Sequence, residues 1–188
     1  TAHLALVSGA EAGAAVAAIQ ARGREPQWTV QDADLSPDRV IGVDRPANNE
    51  PETAVGLGAP IYVYSLIESA ILADSGATAE EHQAQIADLW SRHSAIAAEN
   101  PYAWDRTART AEDIGYPNPT NRTVSAPYTK LMCANLQVDL AAGVIVASVG
   151  AARALGVPQD KWVFLHAGAS GTDEWFVSER ADLTRSPA

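Results

Sequence analysis

Two short apolar runs, Leu4-Ala5-Leu6-Val7-Ser8 and Gly143-Val144-Ile145-Val146-Ala147-Ser148, are separated by residues 9–142. Each has the length and composition of a buried strand. Much of what lies between them cannot be sheet. Pro26, Pro37, Pro46, Pro51 and Pro60 punctuate residues 24–60, and Pro101, Pro117, Pro119 and Pro127 punctuate residues 101–129. Proline supplies no backbone N–H to a ladder and is excluded from strand centres. The pattern therefore predicts an ordered piece, a long excursion holding two helices, and a second ordered piece. The excursion reads as an insertion between sheet-forming halves of an α/β fold. Long irregular segments of this kind are commonly functional or mobile.

Local signals refine that plan. The Ala-rich stretch after Gly13 favours helix, with Gly23 as its stop, so residues 9–13 read as a strand-to-helix turn. A short strand is expected near Arg39–Val43. Leu66, Ile67, Ala70 and Ile71 have helical spacing, which predicts a helix near 64–74 ended by Gly76. Thr78-Ala79-Glu80-Glu81 is a capping box, and it opens a helix over 79–98 that Asn100-Pro101 stops. Ile86, Leu89, Trp90, His93 and Ile96 lie along one face of that helix, where His93 reads as a packed or surface residue. Tyr102 and Trp104 are expected to anchor the loop that follows. Strands near 144–148 and 162–166 with a helix over 149–155 form an expected strand–helix–strand unit, the helix closed by Gly156 and Pro158.

Composition excludes several functions. The 188 residues carry a formal net charge of −10, which argues against nucleic-acid binding. At long range the same charge repels an anionic ligand unless a local basic patch overrides it. No run approaches the roughly 18 apolar residues of a membrane span. Thr1-Ala2-His3-Leu4 is not the start of a signal peptide. The chain opens directly into a strand pattern without an initiator Met, as an internal piece would. With one cysteine, no intrachain disulfide forms, and a single thiol fits a reducing compartment such as the cytoplasm.

Catalytic chemistry is scarce. Glycines 9 and 13 belong to no phosphate-binding motif. Cys133, beside Met132, reads as a structural thiol, although Lys130 stands near it in sequence. His3, His82, His93 and His166 include no i, i+4 pair, so no metal site is expected. Gly168-Ala169-Ser170-Gly171 reads as a turn, and Asp173, Glu174, Glu179 and Arg180 as charged surface. Asn121-Arg122-Thr123 matches a glycosylation sequon, but no secretory signal accompanies it.

Four segments, in order, resemble the mid-chain of thiolases. Leu4-Ala5-Leu6-Val7-Ser8-Gly9-Ala10-Glu11 resembles a strand ending in Gly-Gly-x-Glu. Leu66-Ile67-Glu68-Ser69-Ala70 resembles a T-A-E-x-x-A segment, with Glu68 in the glutamate place. Thr78-Ala79-Glu80-Glu81-His82-Gln83 resembles a helix beginning S-R-E-E-Q. Asn135-Leu136-Gln137-Val138-Asp139-Leu140-Ala141-Ala142 resembles an Asn/Ser-x-x-x-x-D-G-A-A strand. Asn100-Pro101-Tyr102-Ala103-Trp104 and Pro127-Tyr128-Thr129-Lys130-Leu131 further resemble the acetyl-CoA acetyltransferase-like branch near the sterol-carrier-associated thiolases. Leu140, where thiolases prefer Gly, and Tyr62 and Tyr64, around a His-Met-Gly stretch, depart from the ordinary degradative or synthetic subtypes.

The resemblance implies a partial thiolase-like layered α/β fold: residues 1–23 as the end of an N-terminal half, 24–127 as the loop domain, and 128–188 as the start of a C-terminal half. It implies an acyl-CoA acyltransferase of lipid or sterol metabolism, with the CoA thioester as substrate and no other cofactor. In the family the nucleophilic cysteine precedes the strand at 4–8, and the His and second Cys follow this chain's C-terminus. No catalytic residue is therefore assigned here, Cys133 included, and the chain alone is expected to be inactive. The family's loop domain covers the pantetheine and lines the acyl tunnel, which makes Tyr62, Val63 and Leu66 the expected substrate-binding residues. Expected partners are the remaining segments of a longer protein or a second copy. The other reading is a non-catalytic acyl-CoA- or lipid-binding, or subunit-interaction, member of the same fold.

Overall fold

A computed structural model describes residues 3–186. In chain order its regular elements are β1 (Leu4–Ala12), α1 (Gly13–Gln20), α2 (Glu50–Ala54), α3 (Pro60–Ser75), α4 (Ala79–Glu99), α5 (Ala111–Gly115), β2 (Thr123–Ser125), β3 (Tyr128–Thr129), β4 (Asp139–Ala147) and α6 (Val149–Ala154). The described residues fall into two compact units, 3–37 with 135–170 and 38–134 with 171–186.

The first unit is built on one antiparallel pair. β1 and β4 run side by side over nine residues each, from Leu4 opposite Ala147 to Ala12 opposite Asp139. The strands expected to belong to two different halves thus pair with each other. Leu4 and Leu6 share one face with Ile145 and Ala147, while Val7, Val144 and Val146 share the other. Strands apolar on both faces are suited to cover on both sides. β1 also runs beyond the expected 4–8, through the glycine-containing segment read as a turn, because β4 offers a ladder partner as far as Asp139.

Its helix α1 lacks a side-chain cap of its own, since Ala12 stands at the cap position. The return strand supplies one: Asp139 Oδ1 accepts the Ala15 N–H at 3.0 Å. A carboxylate at a helix N-terminus satisfies an orphan donor and complements the helix dipole. Approach is close here, and a Cβ on Gly13 would stand 2.1 Å from the Leu136 carbonyl oxygen.

Ser148 caps α6 through the Ala151 N–H, and Gly156 closes it at φ +67°. The expected strand–helix–strand unit stops there. Residues 162–166 form no strand, and Val163 and Leu165 are 91% and 87% exposed. A strand needs a ladder, and no described segment pairs with these residues. The short strand expected near Arg39–Val43 is absent for the same reason, compounded by Gly42 at φ +116°, which breaks the extended run.

The second unit holds residues 38–127 of the excursion, and residues 24–37 belong to the first. α3 begins with Pro60 in its first turn and ends at Gly76, φ +70°. α4 begins at the expected capping box, with the Glu81 N–H bonded to Thr78 Oγ1 and the Thr78 N–H to Glu81 Oε2. A small core of Ala87, Ile114 and Met132 joins α4, α5 and the turn after β3, with Ile86, Ala111, Tyr128 and Leu131 around it.

The face α4 buries is not the one expected. His82 and Ala87 are buried, whereas Leu89, His93 and Ile96 are exposed. The inward face is polar because it serves loop backbone. Gln83 Nε2 donates to the carbonyls of Gly115 (2.6 Å) and Pro127 (3.2 Å), Ser91 Oγ donates to the Arg109 carbonyl (2.8 Å), and the Arg109 N–H donates to Ser94 Oγ (3.0 Å). A loop with no sheet beside it must find such partners for its buried backbone groups.

Tyr102 and Trp104, the expected anchors, are 81% and 55% exposed. Asn121 and Thr129 do that work instead, fully buried between loop strands. Asn121 Nδ2 donates to the carbonyls of Asp113 and Ile114, its Oδ1 accepts the Leu131 N–H, and Thr129 Oγ1 donates to the Ile114 carbonyl. Side-chain bonds to backbone groups pin this loop.

Candidate functional site

The three expected substrate-binding residues lie in the first two turns of α3. Tyr62 and Leu66 are exposed, at 44% and 40%, and Val63 is half-buried. Helical spacing brings Tyr62 and Leu66 onto one side of the helix. Two open hollows exist elsewhere in this unit. One, about 360 Å³, is lined by residues 112–113 and 116–120, and another, about 210 Å³, lies beside Trp90 and His93. Neither includes Tyr62, Val63 or Leu66.

Other positions of α3 are fastened. Ser65 is buried, and its hydroxyl lies 2.9 Å from the Ile61 carbonyl and 3.2 Å from the Ser125 carbonyl in β2. One turn on, the Glu68 carboxylate joins three elements. His82 Nε2, in the first turns of α4, donates to Glu68 Oε1 at 2.7 Å. The Tyr128 hydroxyl, in β3, donates to Glu68 Oε2. The side chains of His82 and Glu68 retain 10% and 19% exposure. Burial, and then the bond to the Glu68 carboxylate, push the Tyr128 phenol well above its ordinary value, so it stays a donor.

Sequence reasoning did not see this network. Its three members stand far apart in the chain. Among the described residues no three of His, Cys, Asp and Glu gather so as to hold a metal ion. Cys133 is half-buried, and its thiol lies 3.2 Å from the Thr129 carbonyl. The sequon asparagine is Asn121, whose side chain is buried and fully engaged.

A buried carboxylate, Glu52, was also missed. Its oxygens accept the Ser178 N–H (2.7 Å), the Asn49 N–H (3.1 Å) and Asn48 Nδ2 (3.3 Å). The Ser178 N–H, foremost, holds its carboxyl below the ordinary value. Around it, Trp175 Nε1 donates to the Pro46 carbonyl and the Arg45 guanidinium stacks 4.3 Å over the Trp175 ring. The signal was available: Asn49-Glu50-Pro51-Glu52 is a capping box, and both of its bonds form.

No family model matches the sequence, and no curated protein does. Among solved structures, a monomeric SCP2-thiolase-like protein type 1 from Mycobacterium smegmatis matches with a TM-score of 0.73 and 29% identity, over 99% of this chain and 33% of that one. The fold is thiolase-like. The chain spans about a third of the length of that relative.

In this thiolase-like fold the four segments that resemble thiolases are tied in two pairs, one within each unit. The first is most of β1, the second lies in α3, the third opens α4, and the fourth leads into β4. Glu68 of the second bonds His82 of the third, and Asp139 of the fourth caps the helix that follows the first. Among the described residues no helix is long and apolar enough to cross a membrane.

Proposed function

We propose that this chain is part of an acyl-CoA acyltransferase, acetyl-CoA acetyltransferase-like, that works in lipid or sterol metabolism in the cytoplasm. The observation that carries this reading is the match of nearly the whole chain to an SCP2-thiolase-like structure. In this reading Tyr62, Val63 and Leu66 present the ligand-facing side of the loop domain to the pantetheine or acyl chain of a CoA thioester, which is the substrate, with no other cofactor. Its partners are further thiolase-like segments or a second copy. The apolar, two-faced β1–β4 ribbon, with Leu6, Val144 and Ile145 exposed, supports such cover.

The chain by itself does not turn over. Carbon–carbon chemistry at a thioester needs a nucleophile, proton transfer and oxyanion stabilisation together. Cys133 donates to a backbone carbonyl, and no histidine bonds it among the described residues. The test is thiolysis of a 3-ketoacyl-CoA by the 188-residue chain, beside Cys133→Ala. Activity lost on that substitution overturns the assignment. A longer protein containing this sequence that binds CoA thioesters without turnover favours the non-catalytic reading instead.

A further inference from the structure

The two sides of α3 differ in kind. One carries Tyr62 and Leu66 into solvent. The side nearly opposite Leu66 is held by Glu68 on both α4 and β3, while Ser65, next to Tyr62 around the helix, bonds β2. The Glu68 carboxylate is the sole group among these that reaches two neighbouring elements at once. The apolar core of this unit, Ala87, Ile114 and Met132, includes no residue of α3. Polar contacts from Ser65 and Glu68 therefore act beside the half-buried Ile61, Val63, Ile67 and Leu72 in setting where α3 lies. A carboxylate with two donors, one of them a hydroxyl kept protonated by its surroundings, fixes both the translation and the rotation of a helix.

We infer that Glu68, bridged to His82 and Tyr128, is a positioning residue that fixes the outward side of α3 for ligand contact by Tyr62 and Leu66. This rests on the ligand-facing role proposed above for that side. Charge and hydrogen-bond geometry act through the helix, and Glu68 itself touches no ligand. Loss of the bridge lets α3 rotate or fray, and the penalty appears at Tyr62, about a third of the way around the helix from Glu68.

Two measurements test this on the 188-residue chain. The first is amide hydrogen exchange in Glu68→Gln and Tyr128→Phe, the latter keeping the carboxylate. Exchange in residues 60–75 rises at least about fivefold in both, while β1 and β4 are unchanged, as expected for loosening of one local element. The second is the affinity for octanoyl-CoA. Glu68→Gln weakens it about tenfold, and Tyr62→Ala then adds little, because coupled residues give non-additive losses. Unchanged exchange in α3, or full additivity with Tyr62→Ala, overturns the positioning role while leaving the ligand reading intact. Failure of the unsubstituted chain to bind octanoyl-CoA overturns the ligand reading and the positioning role together, and the exchange data then report on Glu68 as a structural pin alone.

Discussion

The Glu52 carboxylate accepts the Ser178 backbone N–H at 2.7 Å, across 126 positions of sequence. The bond joins α2 to residues 171–186, a segment whose regular structure is one 3₁₀ turn, Val177–Glu179. Asn49 Nδ2, donating to Ser178 Oγ at 3.0 Å, and Trp175, bonded to the Pro46 carbonyl, join it in holding this polar segment. Glu52→Ala strands the Ser178 and Asn49 N–H donors, while Asn48 Nδ2 keeps the Leu57 carbonyl, so residues 171–186 become accessible first. Limited proteolysis followed by mass spectrometry is expected to show early cleavage there, ahead of any cut in α4. Unchanged cleavage order would contradict the clasp.

Acid should weaken the fold. Glu52, Glu81, Asp113, Asp173 and Asp182 are held below their ordinary values chiefly by the Ser178 N–H, the Thr78 N–H and the hydroxyls of Thr110, Ser186 and Thr184, respectively. The Arg109 guanidinium, foremost, lowers Asp105 to about 2. A carboxyl depressed in the folded state contributes stability above its unfolded value, and that contribution is lost as pH falls through the folded value. Unfolding midpoints should therefore be steady above the ordinary Glu and Asp values of 4.5 and 3.8, and fall between there and about 2.

Alkali acts on Tyr128 with the opposite sign. Its phenol is raised above the ordinary 10, so its contribution is present below pH 10 and lost as pH climbs beyond it. Tyr128→Phe should remove that part of the alkaline fall. Thermal midpoints of both proteins across the alkaline range measure the difference, and parallel curves would refute it.

Gly115 meets Ala87 in the core of the second unit. A Cβ at Gly115 would stand 2.5 Å from the Ala87 Cβ, and Ala87 has no exposed surface. Overpacking of this kind costs about 1–3 kcal/mol. Gly115→Ala should lower Tm by several degrees in thermal denaturation, whereas Gly58→Ala, with open space around it, should not.

Asn121 donates and accepts with every polar atom of its side chain while fully buried. Asn121→Ala leaves backbone groups without partners and should cost about 3 kcal/mol, read from denaturant midpoints. Asn121→Asp should be worse, since an acceptor then faces the Asp113 and Ile114 carbonyls. The same burial predicts no glycan at Asn121 on the folded chain, which intact mass after secretory expression would check.

Local chemistry determined much of this protein from the sequence. The Thr78–Glu81 capping box, the stop at Asn100-Pro101 and the left-handed Gly76 each depend on neighbours a few positions away, and each formed as expected. The order of the thiolase-like segments was legible too, because it needs no spatial knowledge. Tertiary structure decided what depends on distant partners. Residues 162–166 have strand composition and no ladder, so they are not a strand. The inward face of α4 was settled by the carbonyls of the loop it had to serve, and these drew Gln83, Ser91 and Ser94 inward while Leu89 and Ile96 faced out. Glu68, His82 and Tyr128 come together only when three elements pack, since a hydrogen-bond partner across dozens of residues leaves no period or spacing in the chain to read.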